Sequence, residues 1–380
     1  MTAFLLVMGC LFLFLAQHPF LTYPLSLALL RRLRPQPLRP TGSPPASFSI
    51  CVCAYNEARV IREKAQNLLA LRERVPGLEI LVYDDGSSDG TGAILDGFAP
   101  AITKIQGPGR TGKTPGMNLL AGMARGEILV FSDANVMVEP EALERLGDYF
   151  ADPAVGCVCG HLLYLNREQS VTAATGADYW QLEEWIKQLE SDTGSVMGAD
   201  GSLFALRRSL HETVPEDLID DIYVSMGALF QGYRVVRGPD VRAFENSATH
   251  AGDEFRRKVR IACQAFNIHR RLWPRLRRLG WLDLYKYLSH KFLRWLTIYT
   301  LGLAGLCFLA ALVRLAGWPV GLGLAALGGL TLALGHVLRL PVLGKLVDVL
   351  GAFLATGLGV IYSIQGREFR TWTPAASVRS

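Results

Sequence analysis

Hydrophobic positions crowd the two ends of the chain and alternate with polar ones through the middle. Residues 3–30, "AFLLVMGCLFLFLAQHPFLTYPLSLALL", carry no formal charge. This run exceeds the roughly 20 apolar residues that cross a bilayer. No basic residue precedes it and no small-x-small cleavage site follows, so it reads as an uncleaved anchor over residues 1–33, with Pro19 and Pro24 as places to kink. Three more apolar runs, 295–313, 317–337 and 341–363, lie near the other end, the third interrupted by Lys345 and Asp348. In the polar middle, "FSICVCAYNE" (48–57) is an apolar strand running into a polar loop, and residues 58–71 carry apolar positions at helical spacing. "LEILVYDDGSSDGT" (78–91), "AITKIQ" (101–106) and "EILVFSDANV" (127–136) read as further strands, with helical stretches between them. Strand alternating with helix predicts an α/β domain built on a parallel sheet. Such sheets bind ligands at the carboxyl ends of their strands. Asn56/Glu57, Asp84/Asp85 and Asp133/Asn135 all fall at such ends.

Charge then orients the chain. Arg31, Arg32, Arg34 and Arg39 follow the anchor at once, which predicts a cytosolic domain. A Pro-rich linker, "RPQPLRPTGSPPAS" (34–47), leads into the domain at 48–285. Residues 254–294 hold twelve Lys/Arg against Glu254 and Asp283. That belt abuts the membrane region 286–365, where basic side chains gain from an anionic leaflet. It predicts a membrane partner, and no nucleic-acid-binding motif accompanies it. If all three later runs cross, the tail 366–380 ends outside, yet "GREFRTW" (366–372) looks cytosolic. One of the three, with the interrupted run 341–363 as the candidate, is therefore expected to lie in the interface or re-enter, leaving two to three spans in 286–365. Seven cysteines, an odd number facing the cytosol, argue against a disulfide framework. Cys51/Cys53 and Cys157/Cys159 alternate as buried strand residues do, and their spacing is not that of a zinc knuckle.

One motif competes for the whole reading. "GPGRTGKT" (107–114) fits the phosphate-loop pattern of ATP- and GTP-hydrolysing proteins. Such a loop needs a helix starting at its Gly-Lys-Thr, so that amides cradle phosphate. Here Pro115 and Gly116 come next, and glycine costs about 1 kcal/mol in a helix. The loop follows the third strand rather than opening the fold. It also leaves the acidic pairs Asp84/Asp85 and Asp220/Asp221 without a role.

The other reading uses them all. "CAYNE" (53–57), "VYDDGSSDGT" (82–91), "GKTPGMN" (112–118), "FSDAN" (131–135), "GADGSLFALRR" (198–208), "DD" (220–221) and "RKVRI" (257–261), in this order, resemble the family 2 glycosyltransferases. These are inverting enzymes of the GT-A fold, a Rossmann-like α/β architecture, and many are membrane-bound. The resemblance covers about 48–262. It implies transfer of a sugar from a nucleotide diphosphate, most simply a UDP-sugar, with Mg²⁺ or Mn²⁺ as cofactor. By it, Tyr55, Glu57, Asp84 and Asp85 would hold the nucleoside, and Lys113, Arg257 and Arg260 would face the diphosphate. Asp133 and Asn135 would hold the metal, Asn135 replacing the usual carboxylate. Gly198, Ala199, Asp200 and Asp220 would lie on the acceptor side, with Asp221 as the base. Asp220 would also cap the helix that follows. Ile261 stands where polymerising relatives carry tryptophan, and the spans are few. The expected acceptor is therefore a lipid or lipid-linked glycan at the bacterial cytoplasmic membrane. A processive polysaccharide synthase is the enzymatic alternative. A P-loop ATPase and a catalytically dead membrane scaffold are the alternatives of another class.

Overall fold

The structure is a computed structural model that describes residues 1–45, 47–166, 171–246, 251–338 and 341–371, so the end of the tail, 372–380 with Trp372, lies outside the described residues. The first apolar run forms α1 (Thr2–Gln17) and α2 (Thr22–Leu33), which meet at 61°. The bend falls at Pro19, which has no N–H to continue the helix. The apolar pattern did not show that α2 docks on the polar domain. Tyr23 and Leu27 are fully buried against Ile186 and Leu189. The Tyr23 hydroxyl donates to Glu190 Oε1 at 2.5 Å. The Pro-rich segment after α2 is pinned rather than loose: Gln36 N donates to Asp192 O, Arg39 N to Asp152 Oδ2, and Gly42 N to Ala151 O.

The domain then runs β1 (Phe48–Ala54), α3 (Ile61–Arg74), β2 (Glu79–Asp84), α4 (Thr91–Asp96), β3 (Thr103–Gln106), α5 (Lys113–Met123) and β4 (Ile128–Asp133). It continues through β5 (Met137–Val138), α6 (Ala142–Phe150), β6 (Val155–Tyr164), α7 (Val171–Asp192), β7 (Leu203–Arg207), α8 (Asp220–Phe230), β8 (Arg234–Glu245) and α9 (Ala251–Leu276). The strands form one sheet in the order β3-β2-β1-β4-β7-β6-β8-β5. The expected parallel pairing joins β1 to β4, and β6 also pairs parallel with β8. β7 runs antiparallel to both β4 and β6, and β5 runs antiparallel to β8, so the sheet is mixed. Strand alternation sorts the core into two layers. In β1, Cys51 and Cys53 face the layer beneath α5, α8 and α9, while Ile50, Val52 and Ala54 face the layer beneath α3 and α6. Cys157 and Cys159 are likewise buried strand residues. Each fully buried aliphatic side chain contributes about 1.5–3 kcal/mol. Parallel pairing sets the carboxyl ends of β1, β2 and β4 side by side, Ala54 opposite Asp84 and Cys53 opposite Asp133.

After α9 come α10 (Trp281–Tyr287), a π-helical turn, α11 (Leu293–Trp295), α12 (Thr297–Ala316), α13 (Trp318–Val337) and α14 (Pro341–Ile364). Among the described residues three helices, α12 to α14, are long and apolar enough to cross a membrane, and α1 with α2 adds a fourth if the bent pair is one span. α14 differs from the others because both its ends rest on the domain. Lys345 pairs with Asp178 of α7 at 2.7 Å, and Ser363 Oγ donates to Asn267 Oδ1 of α9 at 2.5 Å. Between them Gly359 packs against Val259, Ala262 and Cys263, where a β-carbon would come within 2.6 Å of Ala262.

Candidate active site

The loops after β1 and β2 are sewn together. Asn56 takes a left-handed backbone (φ 53°), and its Oδ1 accepts from Ser88 N at 2.8 Å. Asn56 N donates to Ser87 Oγ, Ala58 N to Asp89 Oδ2, and Glu57 N to Thr91 Oγ1. Asp84 is buried and accepts from Ser87 N at 2.9 Å. Asp85 is also buried, and its carboxylate reaches across to the Gly-Lys loop. Oδ1 accepts from Thr111 N (2.7 Å) and Oγ1 (2.8 Å), and Oδ2 from Gly112 N (2.9 Å). A carboxylate has about four acceptor positions, so one stays open on Oδ2. Tyr55 lies at the same rim with the Arg110 guanidinium 4.0 Å from its ring centre, a platform for a flat ring. Glu57 is buried beside it.

This arrangement decides the phosphate-loop question. α5 does start at Lys113, against the expectation drawn from Pro115 and Gly116. Proline suits a first helical turn. Gly116 is needed there because a β-carbon would lie 2.4 Å from the Tyr83 ring and 2.8 Å from Cys53 Sγ. However, the Thr111 and Gly112 amides that would cradle phosphate are committed to Asp85. The Thr114 hydroxyl that would hold magnesium donates to Leu218 O at 2.7 Å. The string fits the pattern and lacks its chemistry.

Lys113 is the hub of the cleft. Its ammonium lies 2.7 Å from Asp133 Oδ1 and 3.7 Å from Asp220 Oδ2. Burial disfavours the charge, but Asp133, Asp220 and Asp221 outweigh it, so Lys113 is held protonated well above its ordinary range. Gly201 lies between this ammonium and Asp221: a β-carbon there would sit 3.1 Å from Lys113 Nζ and 3.2 Å from Asp221 Oδ2. Asp221 is pushed up to about 7 by burial and by the neighbouring Asp220 charge, with Lys113 and the Ile222 N–H opposing. The expected capping role of Asp220 is not seen. Ile219 holds the cap position without a side-chain bond, Asp220 is the first helical residue, and its buried Oδ2 has no hydrogen-bond partner. Two acids in the first turn still suit the positive end of α8.

The remaining candidates divide. Gly198 (φ 97°) and Ala199, whose N–H donates to Ser225 Oγ, shape the floor. Asp200 accepts from Lys187 at Oδ2 (2.7 Å) and from Ser202 at Oδ1, which ties the floor to α7. Trp180 packs beneath, donating to Leu162 O at 2.9 Å, and Trp185 faces outward. On α9, Arg257 is clamped by Glu254 through Nε (2.9 Å) and Nη2 (3.3 Å). Arg260 donates through Nη1 to Gln264 Oε1 at 3.3 Å. Burial and the Arg257 charge lower the Arg260 pKa to about 10, while Asp133 and Asp221 work the other way.

Residues 49–214 match the profile described as Glycosyl transferase family 2. Over these residues the chain is similar to the family 2 glycosyltransferases. The chain is similar to an N-acetylglucosaminyltransferase of Mesorhizobium japonicum, 24% identical over 60% of this chain and 58% of that one. It is also similar to a beta-monoglucosyldiacylglycerol synthase of Synechocystis sp., 29% identical over 52% of this chain and 46% of that one. The chain thus spans about half to three-fifths of these relatives' lengths. Its fold superimposes on a mannosyltransferase from Pyrobaculum calidifontis in complex with GDP-Man and Mn²⁺, with a TM-score of 0.71 and 22% identity, covering 96% of this chain and 100% of that one. The fold is therefore GT-A.

Two parts of the candidate site carry no signal in the sequence. Glu245, at the end of β8, accepts from Asn135 Nδ2 at 2.8 Å. It follows a strand that runs with no motif around it, so only the strand pairing brings it to the site. The described part of the tail is the second. Gln264 Nε2 donates to Phe369 O at 2.6 Å, and the Arg370 carbonyl presses on Gly112, where a β-carbon would lie 2.3 Å away.

Proposed function

We propose that the domain is an inverting, membrane-associated transferase that moves a sugar from a nucleoside diphosphate sugar, a UDP-sugar in the first instance, to a hydroxyl on a lipid or lipid-linked glycan. The observation that carries this is the gathering of Asp133, Asp220 and Asp221 around Lys113, with the gap left by Gly201 between that ammonium and Asp221. In this reading Tyr55, Glu57, Asp84 and Asp85 receive the nucleoside, and Lys113, Arg257 and Arg260 compensate the diphosphate. The acceptor oxygen attacks the anomeric carbon as the bond to diphosphate breaks. Its proton passes to the Asp221 carboxylate, and nucleoside diphosphate leaves. The buried, unpartnered Asp220 Oδ2 is free to accept from a sugar hydroxyl. Asp200, with Gly198 and Ala199, forms the acceptor-side floor.

A divalent cation fits this site only in part. Among the described residues no group of three or more His, Cys, Asp or Glu is placed to hold a metal. Asp133, whose side chain is 38% exposed, and the Asn135 amide offer a short oxygen set, which suits Mg²⁺ or Mn²⁺ carrying waters and the diphosphate's own oxygens. Bound there, the cation would neutralise the leaving group. The membrane acceptor rests on the apolar helices, on the basic α9 beside α14, and on the lipid-directed name of one relative. The placement of α14, with both ends on the domain, supports an interfacial helix beneath the cleft and a cytosolic tail.

The test is release of nucleoside diphosphate by purified protein in nanodiscs, across a panel of UDP- and GDP-sugars with Mg²⁺ or Mn²⁺. Release that requires Asp133 and Asp221 supports the reading; its absence with every donor removes it. Two further outcomes are expected. Asp221 must be ionised to accept a proton, and its pKa lies at about 7. kcat/KM, which reports the free enzyme, should fall tenfold per unit as pH drops below about 7. Gly201→Ala should lower kcat at least tenfold, because its methyl enters the gap between Lys113 and Asp221, while the thermal midpoint stays within about 3 °C of wild type. Unchanged turnover would separate that gap from the reacting atoms.

A further inference from the structure

Asn135 raises a problem that the proposed function leaves open. An amide presents a donor on one side and an acceptor on the other, and only the oxygen can serve a cation. In the turn that follows β4, Asn135 is half-exposed like Asp133, while Ala134 and Val136 are buried. β5 pairs antiparallel with β8, Met137 opposite Phe244 and Val138 opposite Ala243. Extending that register by one step brings Glu245 opposite Val136 and beside Asn135. The β6 partner holds Glu245 in place, since Leu165 N donates to Glu245 O at 3.0 Å. Its carboxylate is acceptor-only when ionised, so it can receive only the NH₂ side of Asn135, and the 2.8 Å bond runs that way.

We propose that Glu245 is a positioning residue that fixes the Asn135 amide with its carbonyl oxygen turned to the cation and diphosphate. The proposal rests on the transferase reading of this cleft. It explains how a chain lacking the second carboxylate keeps a usable oxygen there, and why β8 ends in an acid beside the turn between β4 and β5. Glu245 itself need not touch the metal.

The experiment measures binding of UDP and of GDP to full-length protein in nanodiscs, with Mn²⁺ and with EDTA, alongside Mn²⁺ affinity by electron paramagnetic resonance. Thermal unfolding checks each variant. Glu245→Ala frees the amide to rotate and should weaken Mn²⁺-dependent binding at least tenfold, while binding in EDTA changes less than twofold. Glu245→Gln keeps an acceptor for Asn135 and should lose less than Glu245→Ala. In an Asn135→Asp background there is no amide to orient. Glu245→Ala should then cost less than twofold, so the two substitutions are strongly non-additive. Equal losses in both backgrounds, or equal losses with and without Mn²⁺, overturn the proposal and mark Glu245 as a structural residue. Wild-type protein that binds neither nucleotide in a Mn²⁺-dependent way overturns the transferase reading as well. Wild-type binding that Glu245→Ala leaves intact removes only the role of Glu245.

Discussion

Asp221→Asn should reduce sugar transfer by about 10²–10⁴-fold, the usual contribution of a positioned base, while nucleoside diphosphate binding stays within about threefold. Asparagine keeps the shape of the side chain, and its amide oxygen can still accept the Ile222 N–H that Asp221 Oδ1 receives at 2.6 Å. What it loses is a site for the acceptor's proton. It also removes one of three carboxylates around Lys113, so the ammonium should not be weakened as a diphosphate partner. KM for the donor should therefore hold while kcat falls. A variant that keeps kcat near wild type would move the base elsewhere. Asp220 would be the next residue to examine, because its Oδ2 is buried without a partner 3.7 Å from Lys113. A variant that loses donor binding as well would make Asp221 part of the nucleotide site instead.

The first half of the domain was legible because local pattern and tertiary role agree there. β1 is buried along its whole length, and the "FSICVCA" run is apolar along nearly all of it. β2 and β4 end in acids because strand ends open onto the cleft. The antiparallel β7 was not legible: "LFALR" has no feature that sets its direction, and its neighbours β4 and β6 are distant in sequence. The same limit hid Glu245, which meets Asn135 across 110 residues of chain. α5 was misjudged because helix propensity was weighed without the tertiary reason for Gly116, the close pass of Tyr83 and Cys53. The capping role expected of Asp220 failed for a related reason. An aspartate before a helical run is a cap by local rule, but Lys113 comes from another element and draws both carboxylates into the cleft. The docking of α2 through Tyr23 and Glu190 was masked by the apolar run in which it lies, since a residue facing lipid and one facing a protein core look alike in sequence.

Lys113→Met carries the second large effect, and it separates the two readings of the Gly-Lys loop. In the wild type one ammonium compensates Asp133, Asp220 and Asp221. Removing it leaves three carboxylates facing each other, two of them in a buried setting, and breaking such a cluster commonly costs about 3–5 kcal/mol. Asp133 is more exposed than Asp220, so solvent screens part of its share. The thermal midpoint should therefore drop. The pH profile gives a cleaner signal. Lys113 lowers the Asp221 pKa against burial and Asp220, so its loss must raise that pKa further. The acid limb of kcat/KM should move above 7, and added alkali should recover part of the activity. Donor affinity should fall too, because the charge facing the diphosphate is gone. Preorganised electrostatic contacts of this kind are worth about 10²–10³ in rate. A phosphate-loop ATPase would behave otherwise: Lys113→Met would abolish ATP turnover and Asp221→Asn would leave it intact. With the Thr111 and Gly112 amides held by Asp85, and the Thr114 hydroxyl given to Leu218, no Lys113-dependent ATP turnover is expected. The limb shifting upward in Lys113→Met would tie the lysine to the base, and a limb that stays at about 7 would place it with the leaving group alone.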